Sequence, residues 1–134
     1  MSPAQVGDPV AAIDTPALVV DLDAMQRNLA AMATFARERG LRLRPHAKTH
    51  KSAWIAAQQA ALGAVGVCVQ KTAEAEALAA RGVRDLFISN EVVDPPKLAR
   101  VAALASRVKL AIAVDGVEGI DGLAAAMRGS GAAI

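Results

Sequence analysis

At 134 residues, 54% of them apolar and 2% aromatic, with 15 basic against 13 acidic side chains, the chain is long enough for one domain with a core of its own. A net charge of +2 is too small to argue for nucleic acid or an anionic membrane surface as partner, and no aromatic residues interleave with basic ones as a stacking platform. The single cysteine excludes an internal disulfide framework.

Of the 72 hydrophobic residues 32 are alanine, so the larger apolar side chains number only 40 and the helices must be thin ones packed closely on something else. The first 20 residues carry no Lys or Arg, and Asp8 and Asp14 interrupt any apolar signal region. The longest apolar stretch, around Ala60 to Val69, falls far short of the roughly 18 residues of a membrane span. The expectation is a soluble, cytoplasmic protein.

Residues 1–13, with Pro3, Gly7 and Pro9 and no periodicity, read as a loose N-terminal arm. Residues 17–20 form a short β-branched run. Asp21 or Asp23 then caps a helix with an apolar face of Met25, Leu29, Met32 and Ala36, closed by Gly40. Residues 41–47 read as a strand, and Ser52 caps a helix that reaches Leu62 and ends at Gly63. The apolar run 64–69 precedes a helix from Thr72 to Gly82, with Glu74 and Glu76 in its first turn, where the helix dipole favours acids. Residues 85–89 form the next strand. Asp94 and Pro95 open a helix striped by Leu98, Val101 and Leu104, residues 108–114 form a fifth strand, and a Gly-punctuated helix follows over 117–128.

Strand starts at 17, 41, 64, 85 and 108 are 24, 23, 21 and 23 residues apart. Short buried strands alternating with amphipathic helices at this pitch predict a parallel α/β sheet, either open and doubly wound or closed into a (β/α)8 TIM-type barrel. Eight such units need about 184 residues, so for a barrel this chain supplies the first five βα units.

Residues 41–48 favour the barrel. Leu41, Leu43, Pro45 and Ala47 alternate with Arg42, Arg44, His46 and Lys48, while the neighbouring strands are nearly continuously apolar. With helices outside, the basic face points into the barrel, where buried cations need anionic partners, either inward acids or a bound phosphate or carboxylate. Lys48 falls at the carboxyl end of its strand, where barrel enzymes keep their chemistry. Nearby Arg44, His46 and His50 would favour its neutral amine, which suits a Schiff-base lysine. The residues alone equally allow Lys48 and Lys51 to be ordinary loop lysines. Cys68, within an apolar run, reads as a small core residue.

Four segments carry a family resemblance: Thr15-Pro16-Ala17-Leu18-Val19-Val20-Asp21-Leu22-Asp23, Arg44-Pro45-His46-Ala47-Lys48-Thr49-His50-Lys51, Gly66-Val67-Cys68-Val69-Gln70-Lys71 and Ser89-Asn90-Glu91-Val92. Together they resemble the N-terminal part of the alanine racemase-like, fold type III, pyridoxal-phosphate enzymes, within which they are most similar to the D-threonine aldolase, 3-hydroxy-D-aspartate aldolase and eukaryotic-type D-serine dehydratase group. The Arg-Pro-His-x-Lys-x-His-Lys string is the specific part. The resemblance implies that Lys48 bonds to pyridoxal 5'-phosphate as a Schiff base and is displaced by the amino group of a D-amino acid. An aldolase would then cleave Cα–Cβ of a D-3-hydroxy amino acid to glycine and an aldehyde, and a dehydratase would eliminate the β-hydroxyl.

Arg44 and His46 would tune Lys48 and contact the cofactor, or pair with acids. Gln70 and Asn90, at the carboxyl rims of their strands, would reach cofactor or substrate, or brace their loops. The family's divalent metal has its ligands near the C-terminus of the longer enzymes, and no residue of this chain is expected to bind it. The chain has no tyrosine, only the two histidines beside Lys48, and none of the late-strand loops that hold the cofactor phosphate. Residues 14–134 are therefore expected to be a partial barrel domain, a fragment without the later barrel units, the metal pair and the β domain. The reading this favours is a pyridoxal-phosphate-dependent lyase of D-3-hydroxy amino acids, aldolase before dehydratase. The alternatives are a non-catalytic pyridoxal-phosphate-binding barrel and an inactive remnant. A full-length enzyme could be a homodimer, and a small D-amino acid is the expected partner.

Overall fold

The computed structural model describes residues 4–134, so the first three residues of the expected N-terminal arm lie outside the described residues. The rest of the arm holds a single 3-10 turn, Val10–Ala12. Helix α1 spans Leu22–Glu38, α2 Ala53–Ala61, α3 Thr72–Ala80, α4 Pro95–Ala105 and α5 Val117–Met127, with strands β1 Val67–Val69, β2 Asp85–Ile88 and β3 Lys109–Ile112 between the last four helices. All three strands are parallel and ordered β1-β2-β3, with Val67 opposite Leu86 and Leu86 opposite Leu110. No helix among the described residues is long and apolar enough to cross a membrane.

Local chemistry sets the helix starts. The Asp21 carboxylate accepts the Ala24 N–H at 2.9 Å, Ser52 Oγ accepts the Ile55 N–H at 3.3 Å, and Asp94 accepts the Lys97 N–H at 3.3 Å ahead of Pro95 and Pro96. Of the two acids proposed to cap α1, Asp21 does so. Gly40, Gly63 and Gly82 follow α1, α2 and α3 with positive φ, the conformation that ends a helix most cheaply when no Cβ is present.

The core lies on the outer face of the sheet. Val69, Leu86, Ile88 and Val101 are fully buried, joined by Leu78, Leu98, Leu104 and Leu110. Strand alternation places Leu86 and Ile88 against the helices and turns Asp85 and Phe87 to the opposite, inner face. The expected Leu98, Val101 and Leu104 stripe is buried in full. That of α1 is not: Ala33 and Ala36 are buried, whereas Met32 is exposed. On the surface Arg100 of α4 grips both carboxylate oxygens of Glu76 on α3, tying consecutive helices.

Two expected strands are absent as regular elements. Residues 17–20 form no ladder, and Leu18, Val19 and Val20 are exposed. Their β-branched composition favours extension, but without a hydrogen-bonding neighbour it does not make a strand. Residues 41–47 run beside β1 but reduce to a single parallel bridge, His46 with Cys68. Around it the Cys68 N–H donates to Pro45 O at 2.8 Å, Ala47 N–H to Cys68 O at 2.7 Å and Val65 N–H to Leu43 O at 2.9 Å. Pro45 explains the interruption: it has no N–H to give to β1, so the rung on the amino side of the bridge cannot form. The segment nevertheless occupies the place of a fourth parallel strand.

Candidate active site

The bridge register defines two rungs on the inner face. His46 lies opposite Cys68, and Cys68 opposite Phe87. One rung toward the amino ends lie Arg44 and Asp85, with Lys109 opposite Asp85. Beyond the bridge, at the carboxyl ends, come Lys48, Gln70, Ser89 and Asn90. Arg44 Nη1 donates to Asp85 Oδ1 at 2.6 Å, and Lys109 Nζ reaches Asp85 Oδ2 at 2.9 Å. Burial works to raise the Asp85 pKa, but the two cations outweigh it and hold the carboxyl below its ordinary value. Of the two roles open to Arg44 from sequence, it takes up pairing with an acid. Lys48 lies past this pair in sequence, in the turn that follows the extended segment.

Lys48 sits in a tight turn. The Lys51 N–H donates to Ala47 O at 2.8 Å, which closes the turn, and Lys51 itself adopts a left-handed φ of 49°. The two histidines bracket this turn in the same way: His46 Nδ1 accepts the Lys48 N–H at 3.2 Å, and His50 Nδ1 accepts the Ser52 N–H at 3.0 Å. Each imidazole thus folds onto the backbone two residues further on. That is a physical reason for the His-x-Lys-x-His-x-Ser spacing. Burial lowers the His50 pKa, and its Nε2 is buried with no hydrogen-bond partner among the described residues. Lys48 itself is exposed.

Ser89, just past β2, crosses to this turn. Its Oγ lies 3.2 Å from Val69 O and 3.3 Å from His46 Nε2. Glu74 braces the turn from α3. Its carboxylate accepts the Gln70 and Lys71 N–H groups at 3.0 and 3.2 Å and stands 3.6 Å from Lys51 Nζ. The Glu74 pKa is lowered although burial opposes this, because those N–H groups and Lys51 stabilise the charged form. Gln70 and Asn90 are half-buried at the rims of β1 and β2. Ser89 and Asp85 are additions to the residues singled out from sequence. The pattern Asp85-Leu86-Phe87-Ile88-Ser89 puts both on the inward parity and is readable once β2 is placed. Glu74 is expected from sequence only as a dipole partner. Its position three residues after Lys71 also fits it to accept N–H groups ahead of the helix.

Lys48 is an exposed primary amine whose own backbone N–H bonds to His46, the ring that Ser89 contacts on its other side; an amine of this kind can bond to the aldehyde of pyridoxal phosphate. Among the described residues no three His, Cys, Asp or Glu side chains are grouped to hold a metal.

Parallel βα units with a lysine presented at the strand carboxyl ends define part of a TIM-type barrel. The chain belongs to the family described as alanine racemase, N-terminal domain, which it matches over residues 20–134. It is 48% identical over 132 residues to a D-threonine aldolase of Arthrobacter sp., covering 98% of this chain and 35% of that protein. With 3-hydroxy-D-aspartate aldolase of Paracoccus denitrificans the identity is 42% over 131 residues, 96% of this chain and 34% of that one. With D-threo-3-hydroxyaspartate dehydratase of Delftia sp. it is 41% over 127 residues, 94% and 33%. The crystal structure of D-threonine aldolase from Filomicrobium marinum superposes with a TM-score of 0.95 at 50% identity, covering all of this chain and 36% of that one. The chain therefore spans about a third of the length of the relatives it matches.

Proposed function

We propose that this chain carries the lysine-bearing part of a pyridoxal-phosphate-dependent lyase that acts on D-3-hydroxy amino acids, with retro-aldol cleavage of a D-threonine-like substrate to glycine and an aldehyde. The observation that supports it is Lys48, exposed between two histidines that fix its turn, in a chain 48% identical to one D-threonine aldolase and 50% identical to another. In the overall reaction the β-hydroxyl gives up its proton, the Cα–Cβ bond breaks, and Cα takes up a proton. Pyridoxal phosphate, when bound, withdraws the electron pair left on Cα. Lys48 would hold the cofactor through its side-chain amine. His46 holds the backbone from which Lys48 projects, Gln70 and Asn90 face cofactor or substrate from the strand rims, and Arg44 acts at the distance its pairing with Asp85 sets. The divalent metal of such lyases would be held by residues outside this chain. The same reading takes a small D-amino acid as partner, a cytoplasmic location and a homodimeric full-length enzyme.

Identity to the Delftia dehydratase, 41%, keeps β-elimination as the second reading. The chain is incubated with pyridoxal phosphate, reduced with borohydride and mapped by mass spectrometry. The expected label is on Lys48 and is lost in Lys48→Ala; a label elsewhere, or none, overturns the reading. A full-length version is supplied with D-threonine and D-serine, with and without chelator; an aldolase releases aldehyde with glycine. A dehydratase releases a 2-oxo acid with ammonia, and label without either product marks a non-catalytic binding barrel.

A further inference from the structure

The hydrogen bonds around His46 have only one consistent direction. The Val69 carbonyl can only accept, so the Ser89 hydroxyl, 3.2 Å away, donates to it. The lone pairs of Ser89 Oγ are then turned toward His46 Nε2 at 3.3 Å, which must carry a hydrogen to make that contact. At the other side of the ring the Lys48 backbone N–H can only donate, so Nδ1, 3.2 Å away, must present a lone pair. Both ends of the chain demand the same neutral imidazole, protonated at Nε2 and bare at Nδ1. Neither ring nitrogen is left with a free lone pair for exchanging protons with a ligand. The Val69 carbonyl also accepts the Ser89 N–H at 2.9 Å, which anchors Ser89 to β1 by backbone as well as by side chain.

Resting on the reading of Lys48 as the attachment residue, we propose that Ser89 and His46 are positioning residues: Ser89 selects the Nε2–H tautomer of His46, and Nδ1 then fixes the backbone of Lys48. The ends of β1, β2 and the His46 segment are linked through one directed chain of hydrogen bonds that terminates at the reactive lysine. His46 works as a brace and not as the general base. The sequence offers a lysine flanked by imidazoles, a setting that invites an acid–base assignment. The geometry points instead to a ring whose two nitrogens are both committed.

Two measurements test this on the whole chain. A long-range 1H–15N correlation spectrum of the 15N-labelled protein, with the two histidines separated by His50→Asn, should show His46 protonated at Nε2 and unprotonated at Nδ1. The Nδ1–H form would overturn the proposal whatever the cofactor does. The rate at which pyridoxal phosphate is captured on Lys48, read by borohydride trapping and peptide mapping, should fall about fivefold in Ser89→Ala, the loss of one neutral hydrogen bond. It should return in Ser89→Thr, which keeps the hydroxyl. An unchanged rate in Ser89→Ala, or no rescue by Thr, counts against positioning. If Ser89→Ala fails to fold, the wild-type tautomer and the Thr variant still decide. Wild-type protein that takes no label at Lys48 defeats the proposed function, and the spectrum then tests the tautomer by itself.

Discussion

Arg44 crosses the inner face of the sheet over Gly66 to place its Nη1 2.6 Å from Asp85 Oδ1. A Cβ on residue 66 would collide with that guanidinium and would stand 2.7 Å from the Asp85 backbone carbonyl. The guanidinium can swing away, but the carbonyl belongs to β2 and cannot. Gly66→Ala is therefore expected to destabilise the fold by about 1–3 kcal/mol, the usual cost of overpacking. A urea titration that leaves the midpoint unmoved would show that the strand has room.

The same ion cluster sets an acid limit on stability. The Asp85 pKa lies below its ordinary value of 3.8 in the folded chain, because Arg44 and Lys109 outweigh the effect of burial. A depressed carboxylate stabilises the fold fully above its unfolded pKa, and that contribution is lost as the pH falls through the folded value. Asp85→Asn should cost about 1–3 kcal/mol at about pH 7, where it leaves Arg44 without its charged partner, and the difference from wild type should shrink toward about pH 2.5. Denaturation curves at both pH values measure it. A gap that stays constant would mean the carboxylate contributes shape and not charge.

Much of this was legible in the chain itself. The apolar stripe Leu98-Val101-Leu104, the caps Asp21, Ser52 and Asp94 and the alternation of helix with parallel strand follow from local chemistry, and the structure matches them. The failures lie where pairing depends on neighbours. Residues 17–20 have the composition of a strand but no hydrogen-bonding partner, and Pro45 deletes a rung that the hydrophobic alternation of 41–47 could not reveal. At the site, the shared face of Arg44 and His46 was readable, because the parity of side chains along an extended segment is fixed, whereas Arg42 is exposed and Lys48 lies past that segment in the turn. What each cation meets was not, because Asp85 lies 41 residues from Arg44 and Ser89 lies 43 from His46. Those partners are set by strand register, which no local pattern encodes.

Glu74 should prove more valuable than the lysine it faces. Its side chain is 14% exposed and accepts two backbone N–H groups, whereas Lys51 is 64% exposed at 3.6 Å. An exposed ion pair contributes little, but uncapped N–H groups at a helix start are costly. Glu74→Ala is expected to lower stability by about 1–2 kcal/mol, and Lys51→Ala to stay within about 0.5 kcal/mol of wild type. Equal losses in the two variants would assign the stabilisation to the ion pair.

His50 gives the fold a second sensitivity to acid in a different window. Burial lowers its pKa from the ordinary 6.5, and protonation at Nδ1 would displace the Ser52 N–H that it accepts at 3.0 Å. With the folded pKa below the unfolded one, the unfolded chain takes up the proton first. Stability is complete above about pH 6.5 and is lost as the pH falls toward the folded value. The carboxylates Asp85 and Glu74 titrate below their ordinary values of 3.8 and 4.5, so between about pH 7 and pH 5 the two windows do not overlap. His50→Asn keeps an oxygen for the Ser52 N–H and does not titrate. Wild type should lose more stability on acidification across this range than His50→Asn, as read by urea midpoints at both ends. A parallel decline in the variant would place the titrating group elsewhere.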